Sequence, residues 1–134
     1  MDAVLLATDA DWVFDEVDAA LADDSTSVNR VRSGRMVLPA VQQLRPELVL
    51  LDLQIGNIGG VAASLALRQE QDMGRIDPVR IIMLLDRDAD VYMAQLARAD
   101  GWLVKPLDSI RLRRAATAVR AGDAYFEGML EATT

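Results

Sequence analysis

The 134-residue sequence contains no cysteine and no histidine. The first absence rules out disulfides and thiolate-bound metal. The second removes the commonest general base and the usual imidazole ligand of zinc and copper. Aromatic residues number six, and a single lysine, Lys105, stands against thirteen arginines. No apolar stretch approaches the ~20 residues that span a bilayer, and the acidic start does not fit a signal peptide. A cytoplasmic protein without membrane insertion is expected. Bases are also short, 14 against 21 acids, for a net charge of −7. That balance argues against a general nucleic-acid binder, which carries a basic surface. The acidity is local: residues 1–24 hold eight acids and no base, so they carry −8 and the remainder +1.

What is present suits one domain. The length fits a single core, and 51 % of the residues are hydrophobic. "AVLLA" (residues 3–7), "SVNRV", Leu48–Leu53, Val79–Leu85 and "GWLVK" read as strands, the second of them weak. Between them lie segments of helical spacing. The first carries Val13, Phe14, Val17 and Leu21 and takes Asp9 or Asp11 as its cap. The second spans Gly34 to Arg45, with Pro39 either delaying its start or kinking it. Val61–Gln71 is the third, the segment opening at "DRDAD" is the fourth, and about Ser109–Ala121, capped by Asp108 or Ser109, is the fifth. The strands are continuous aliphatic runs rather than alternating ones, the mark of a parallel sheet covered on both faces. The expected fold is a single (βα)5 doubly wound α/β domain over residues 1–122. Residues 123–134 form a tail with Tyr125, Phe126, Met129 and Leu130.

In open parallel sheets, sites form beyond the carboxyl ends of the strands. After the first strand come Thr8, Asp9 and Asp11. After the third comes Asp52, after the fourth Leu85, Asp86 and Asp88, and after the fifth Lys105. An aspartate in such a place is ordinarily a turn or cap residue. Asp52, however, ends a run that should be buried, where a carboxylate is costly. Several carboxylates and the one lysine on one edge suit a divalent cation such as Mg²⁺ together with an anion.

These residues resemble the receiver domain of two-component response regulators over residues 3–121. "PELVLLDLQIGNIGG" matches the family's third strand and loop without a gap, and "GWLVKP" its fifth strand. The resemblance implies a five-stranded parallel sheet of order 2-1-3-4-5 and a phospho-accepting Asp52. It implies that Lys105 contacts the phosphoryl group, that a cis peptide joins Lys105 to Pro106, and that Trp102 stands at the rotating aromatic. Asp9, Asp52 and the Gln54 carbonyl would hold Mg²⁺. Gly60 matches the loop glycine, and Gly56 stands where proline is usual.

Three departures bear on mechanism. The family has two adjacent acids after the first strand, and here Thr8 takes the place of one, with Asp11 offset. The family's serine or threonine at the end of the fourth strand is Leu85 here, which has no hydroxyl to bond a phosphoryl oxygen. Asp86 follows where a small residue is usual, and a carboxylate turned inward there repels a phosphoryl group. A lost charge-assisted hydrogen bond is worth ~1.5–3 kcal/mol. The expectation is a receiver whose phospho-switch is weakened or lost. It would act as a protein-interaction module, either a stand-alone receiver served by a histidine kinase or a constitutive accessory subunit of a larger assembly. An independent enzyme is the weaker reading, since only carboxylates and Lys105 remain for catalysis.

The partner surface is expected on the fourth helix, fifth strand and fifth helix, where Tyr92, Trp102, Tyr125 and Phe126 gather with Arg111 and Arg114. Residues 104–121 are basic, with Lys105, Arg111, Arg113, Arg114 and Arg120 against Asp108 alone. Opposed to the acidic first helix, they suit docking to a charged protein or to a second copy. "RAGDAYFEGML" resembles the junction that leads into a DNA-binding domain in many response regulators. No DNA-reading element is recognisable in this sequence, so output is expected through a partner protein.

Overall fold

The computed structural model describes residues 2–56 and 59–128. Its strands are β1 (Asp2–Ala7), β2 (Thr26–Val31), β3 (Leu48–Asp52), β4 (Ile81–Leu85), β5 (Gly101–Val104) and β6 (Tyr125–Phe126). Its helices are α1 (Asp11–Leu21), α2 (Val37–Leu44), α3 (Gly59–Asp72), α4 (Val91–Leu96) and α5 (Ser109–Arg120). All strand pairings are parallel, in the order β2-β1-β3-β4-β5-β6.

The aliphatic runs divide by parity, as a period of two requires. Leu5, Val49, Leu51, Ile81, Met83 and Leu85 pack under α2, α3 and α4 with Val41, Ala63, Leu67 and Ala94. Val4, Leu6, Leu48, Leu50, Ile82 and Leu84 pack under α1 and α5 with Val13, Val17, Leu112 and Val119. Every residue of β3 and β4 is buried, and each fully buried leucine or isoleucine contributes about 1.5–3 kcal/mol. This two-sided burial explains why the central strands read as unbroken apolar runs.

The sequence expectation of five strands is short by one. β6 adds two residues beside β5, pairing Tyr125 with Gly101 and Phe126 with Trp102. A two-residue strand has no periodicity to read. Residues 123–128 therefore belong with the domain, while Met129, Leu130 and the rest of the tail lie outside the described residues. Neither Asp9 nor Asp11 caps α1: its N-cap is Ala10, which makes no side-chain cap bond. Instead, the Ala10 amide donates to Thr8 Oγ1 at 3.1 Å, and Asp11 pairs with Arg30 at 2.8 Å. Pro39 delays its helix rather than kinking it. α2 begins at Val37 after a 3₁₀ turn at Gly34–Met36, so proline falls in the first turn, where an amide needs no helical partner. Asp108 caps α5 as expected, accepting from the Arg111 amide at 2.9 Å, and the Lys105–Pro106 peptide is cis.

Gly60 lies in the first turn of α3 rather than in the loop, pressed on the end of β3. A Cβ there would stand 2.7 Å from the Asp52 carbonyl oxygen and 3.0 Å from Leu53 Cα. Both are backbone atoms and cannot step aside. Gly60→Ala is expected to cost about 1–3 kcal/mol, read as a lower urea midpoint at unchanged slope. An unchanged midpoint would show that α3 is free to move off β3.

Candidate functional site

The site forms where β1, β3, β4 and β5 end. β3 delivers Asp52, almost fully buried, and parallel registry sets it beside Leu84 of β4. β5 ends beside β4, with Val104 opposite Leu85, and the Lys105 amide donates to the Leu85 carbonyl at 2.8 Å. That backbone bond fixes where the lysine stem starts. Its ammonium then bridges two carboxylates, donating to Asp52 Oδ1 at 2.8 Å and to Asp86 Oδ1 at 3.0 Å.

Both oxygens of the Asp52 carboxylate are engaged by protein donors. Oδ1 accepts from Lys105 and from the Gln54 amide at 3.2 Å, and Oδ2 accepts from the Thr8 hydroxyl at 2.8 Å. Thr8 has no exposed surface and is held in place by accepting from Ala10 on its other side. The buried charge is thus both paired and hydrogen-bonded, the condition for tolerating it. Burial works against the charge on Lys105, but hydrogen bonds to Asp52 and Asp86 outweigh it and raise its pKa above 10.5. Asp86 does point inward. Its Oδ1 takes the lysine, while its Oδ2 is buried without a hydrogen-bond partner among the described residues. An uncompensated oxygen of this kind is costly.

Asp9 is exposed and stands over the β3–α3 loop, where a Cβ on Gly56 would lie 3.5 Å from its Oδ2. It joins none of the hydrogen bonds around Asp52. Among the described residues no three carboxylates converge in a way that could hold a metal ion. The oxygens of Asp9, Asp52 and the Gln54 carbonyl are hard donors of the type Mg²⁺ takes. Only one of the two carboxylates is built into the site, and its oxygens already have partners.

Leu85 is fully buried and Trp102 nearly so. The Trp102 indole does not face solvent: its Nε1–H donates to the Glu127 carbonyl at 2.8 Å. Of the expected partner face, Tyr92 is 64 % exposed and Phe126 45 %, which leaves both available for contact. Tyr125 is half-buried and Arg114 exposed. The basic stretch is largely spent inside the molecule. Lys105 serves the site, Arg111 pairs with Asp108 and Glu127, Arg113 donates to the Ala20 carbonyl, and Arg120 pairs with Glu47.

A family model for the response regulator receiver domain matches residues 4–117. The chain belongs to that family. Among relatives, the nitrate/nitrite response regulator protein NarL of Escherichia coli is 29 % identical over 104 residues, 78 % of this chain and 47 % of NarL. The receiver therefore spans about half the length of that relative. Protein PilH of Pseudomonas aeruginosa is 25 % identical over 122 residues, 91 % of this chain and all of PilH. The chemotaxis response regulator CheY4 of Vibrio cholerae superposes with a TM-score of 0.77 at 24 % identity, covering 89 % of this chain and 98 % of CheY4. That likeness speaks for the receiver fold alone. Among the described residues no helix is long and apolar enough to cross a membrane.

Three participants escaped sequence reasoning. Thr8 reads in sequence as a missing acid, yet its hydroxyl donates to Asp52, a role its residue type permits. Trp12, half-exposed, lies with its ring 5.7 Å from Lys105 Nζ, within cation–π range. Nothing in the local pattern marks it. Glu127 follows the aromatic pair and receives Arg111 from 16 residues away, a pairing that only β6 reveals.

Because Lys105 holds two carboxylates, Lys105→Ala leaves both uncompensated and is expected to cost about 1.5–3 kcal/mol at pH 7. With its folded pKa raised, the lysine's contribution is complete below pH 10.5 and fades only as pH rises through the higher folded value. Urea unfolding of both proteins from neutral to alkaline pH checks this. A difference that is absent at neutral pH contradicts it.

Proposed function

We propose that this receiver is atypical, working chiefly as a cytoplasmic protein-interaction module in phosphorelay-type signalling with phospho-switching at Asp52 weakened or lost. The observation that carries the reading is the Lys105 ammonium held between Asp52 and Asp86, with Leu85 where the family has a hydroxyl. Phosphoryl transfer would form a bond from an Asp52 oxygen to phosphorus and break the phosphorus–nitrogen bond of a kinase phosphohistidine. Lys105 would then turn to a phosphoryl oxygen. Here it must first leave Asp86, whose inward carboxylate also repels the incoming anion. The Asp52 oxygens must shed Thr8 or Lys105 as well. Asp9, Asp52 and the Gln54 carbonyl would hold Mg²⁺ weakly. The ion supplies charge neutralisation at the phosphoryl oxygens, and Asp9 is the looser of its two carboxylates.

After transfer, Leu85 offers no hydroxyl to draw toward the phosphoryl group, so nothing on β4 signals to Trp102. The interaction role rests on the exposed Tyr92, Phe126 and Arg114 on α4, β6 and α5. The partner there is a protein, and a second copy or a histidine kinase fits the same face. A second reading, a working phospho-acceptor, is favoured by one observation: Asp52 and Lys105 meet at 2.8 Å. No independent enzymatic activity is proposed beyond self-phosphorylation from a small donor.

The test is a Mg²⁺ titration followed by a phosphoryl-mimicking fluoride complex, read by tryptophan fluorescence through Trp12 beside Lys105. The native chain is expected to respond weakly. Thr8→Asp/Leu85→Thr is expected to bind Mg²⁺ about 10–100-fold more tightly, the equivalent of one regained charge-assisted interaction. It should also gain a fluoride response that Asp52→Asn abolishes. A native response as strong as that of the double variant contradicts the proposal.

A further inference from the structure

β6 is held by far more than its two backbone pairings. The Phe126 ring stacks on Trp102 with centroids 4.1 Å apart and planes at 26°, while the Trp102 indole donates to the Glu127 carbonyl. The Glu127 carboxylate accepts from Arg111 through two guanidinium nitrogens, from the Val104 amide at 3.1 Å and from the Tyr125 hydroxyl at 3.1 Å. Burial opposes that carboxylate's charge, yet these donors hold its pKa below 4.5. Arg111 is itself fixed on β5 by donating to the Val104 carbonyl at 2.8 Å. Gly101 leaves the space the strand needs, since a Cβ there would lie 2.7 Å from the Tyr125 carbonyl oxygen.

The β5 edge thus offers a backbone ladder, an aromatic platform and a fork for one carboxylate. These are the three components by which sheet edges recognise extended peptides: main-chain bonds for affinity, side-chain sites for specificity. The occupant is short, and Phe126 is almost half exposed. A two-residue strand is marginal by itself. Its hold depends on being tethered, which supplies an effective concentration in the millimolar range.

We propose that the β5 edge is a strand-accepting groove for an extended aromatic–aromatic–acidic segment. Tyr125–Glu127 is its resident occupant in cis, displaced by a partner protein that presents a segment of the same chemistry. The exchange of occupants passes the Trp102 indole from the tail to the partner segment and releases the tail, so control of this aromatic lies with whatever fills the edge rather than with Asp52. The inference refines the interaction-face reading and rests on it only for the choice of face. It is independent of phosphoryl acceptance, and its test uses no phosphodonor.

The test compares the full chain with Phe126→Ser/Glu127→Ala by hydrogen exchange of the Trp102 indole, assigned with Trp12→Phe. Exchange in the double variant is expected to be about tenfold faster or more, because the opening cost drops. An end-blocked peptide of sequence GDAYFEG should bind the double variant about tenfold or more tightly than the native chain, where the tether competes, and should restore slow exchange. Gly101→Ala attacks the groove itself. It should speed exchange as well but bind no peptide, which separates loss of the occupant from loss of the site. Unchanged indole exchange in the double variant overturns the proposal, as does equal peptide binding by native and variant chains or no binding by the variant.

Discussion

The ion pair between Lys105 and Asp52 is the constraint around which the rest of the molecule is arranged. A carboxylate nearly free of solvent at the end of an aliphatic strand is tolerable only if its charge is matched and its lone pairs filled. β5 brings the one lysine, the turn after β3 brings the Gln54 amide, and β1 brings the Thr8 hydroxyl. Three chain segments far apart in sequence must be in register for this to hold. The parallel sheet provides that register, and Gly60 allows α3 close enough to complete the loop. Asp86 adds a second negative charge to the same ammonium. On the proposed reading, that addition leaves the cluster with a net negative charge and ties the ammonium to a second carboxylate, both of which disfavour an incoming phosphoryl anion.

The outer edge of β5, the strand that leads to Lys105, is held as firmly. Trp102 lies three residues before the lysine, and its ring and indole are both engaged by residues 126 and 127. Arg111 links the two regions, touching the Pro106 and Val104 carbonyls and the Glu127 carboxylate. A basic helix that looks in sequence like a docking face is in large part a set of internal clamps. Outward on the neighbouring α4 are Tyr92, Met93 and Leu96, with Ile110 and Arg114 exposed on α5. Protein contact at this face would therefore rest on aromatic and aliphatic area more than on long-range charge.

The fold was legible because its signals are strong and local. Unbroken aliphatic runs mark β1, β3 and β4, β2 being the weakest signal, and the Asp52 and Lys105 motifs mark the site's centre. Two kinds of feature were not legible. Residue type and position favour an aspartate as the cap of α1, yet the cap is Ala10. Arg30 claims Asp11 from 19 residues away, and no local pattern carries that. β6 carries no local signal, because two residues have no period and their hold comes from Arg111 and Trp102 across space. The direction of the Asp86 side chain, open in sequence, is inward, onto Lys105.

The central claim is that Asp86 holds Lys105 away from phosphoryl chemistry at Asp52. Its most direct test is an intact-mass time course of the native chain and of Asp86→Ala with Mg²⁺ and a small phosphodonor. The account predicts that Asp86→Ala accumulates the Asp52-linked mass increase faster, about tenfold or more for one released charge-assisted bond. Equal rates in the two proteins would contradict it.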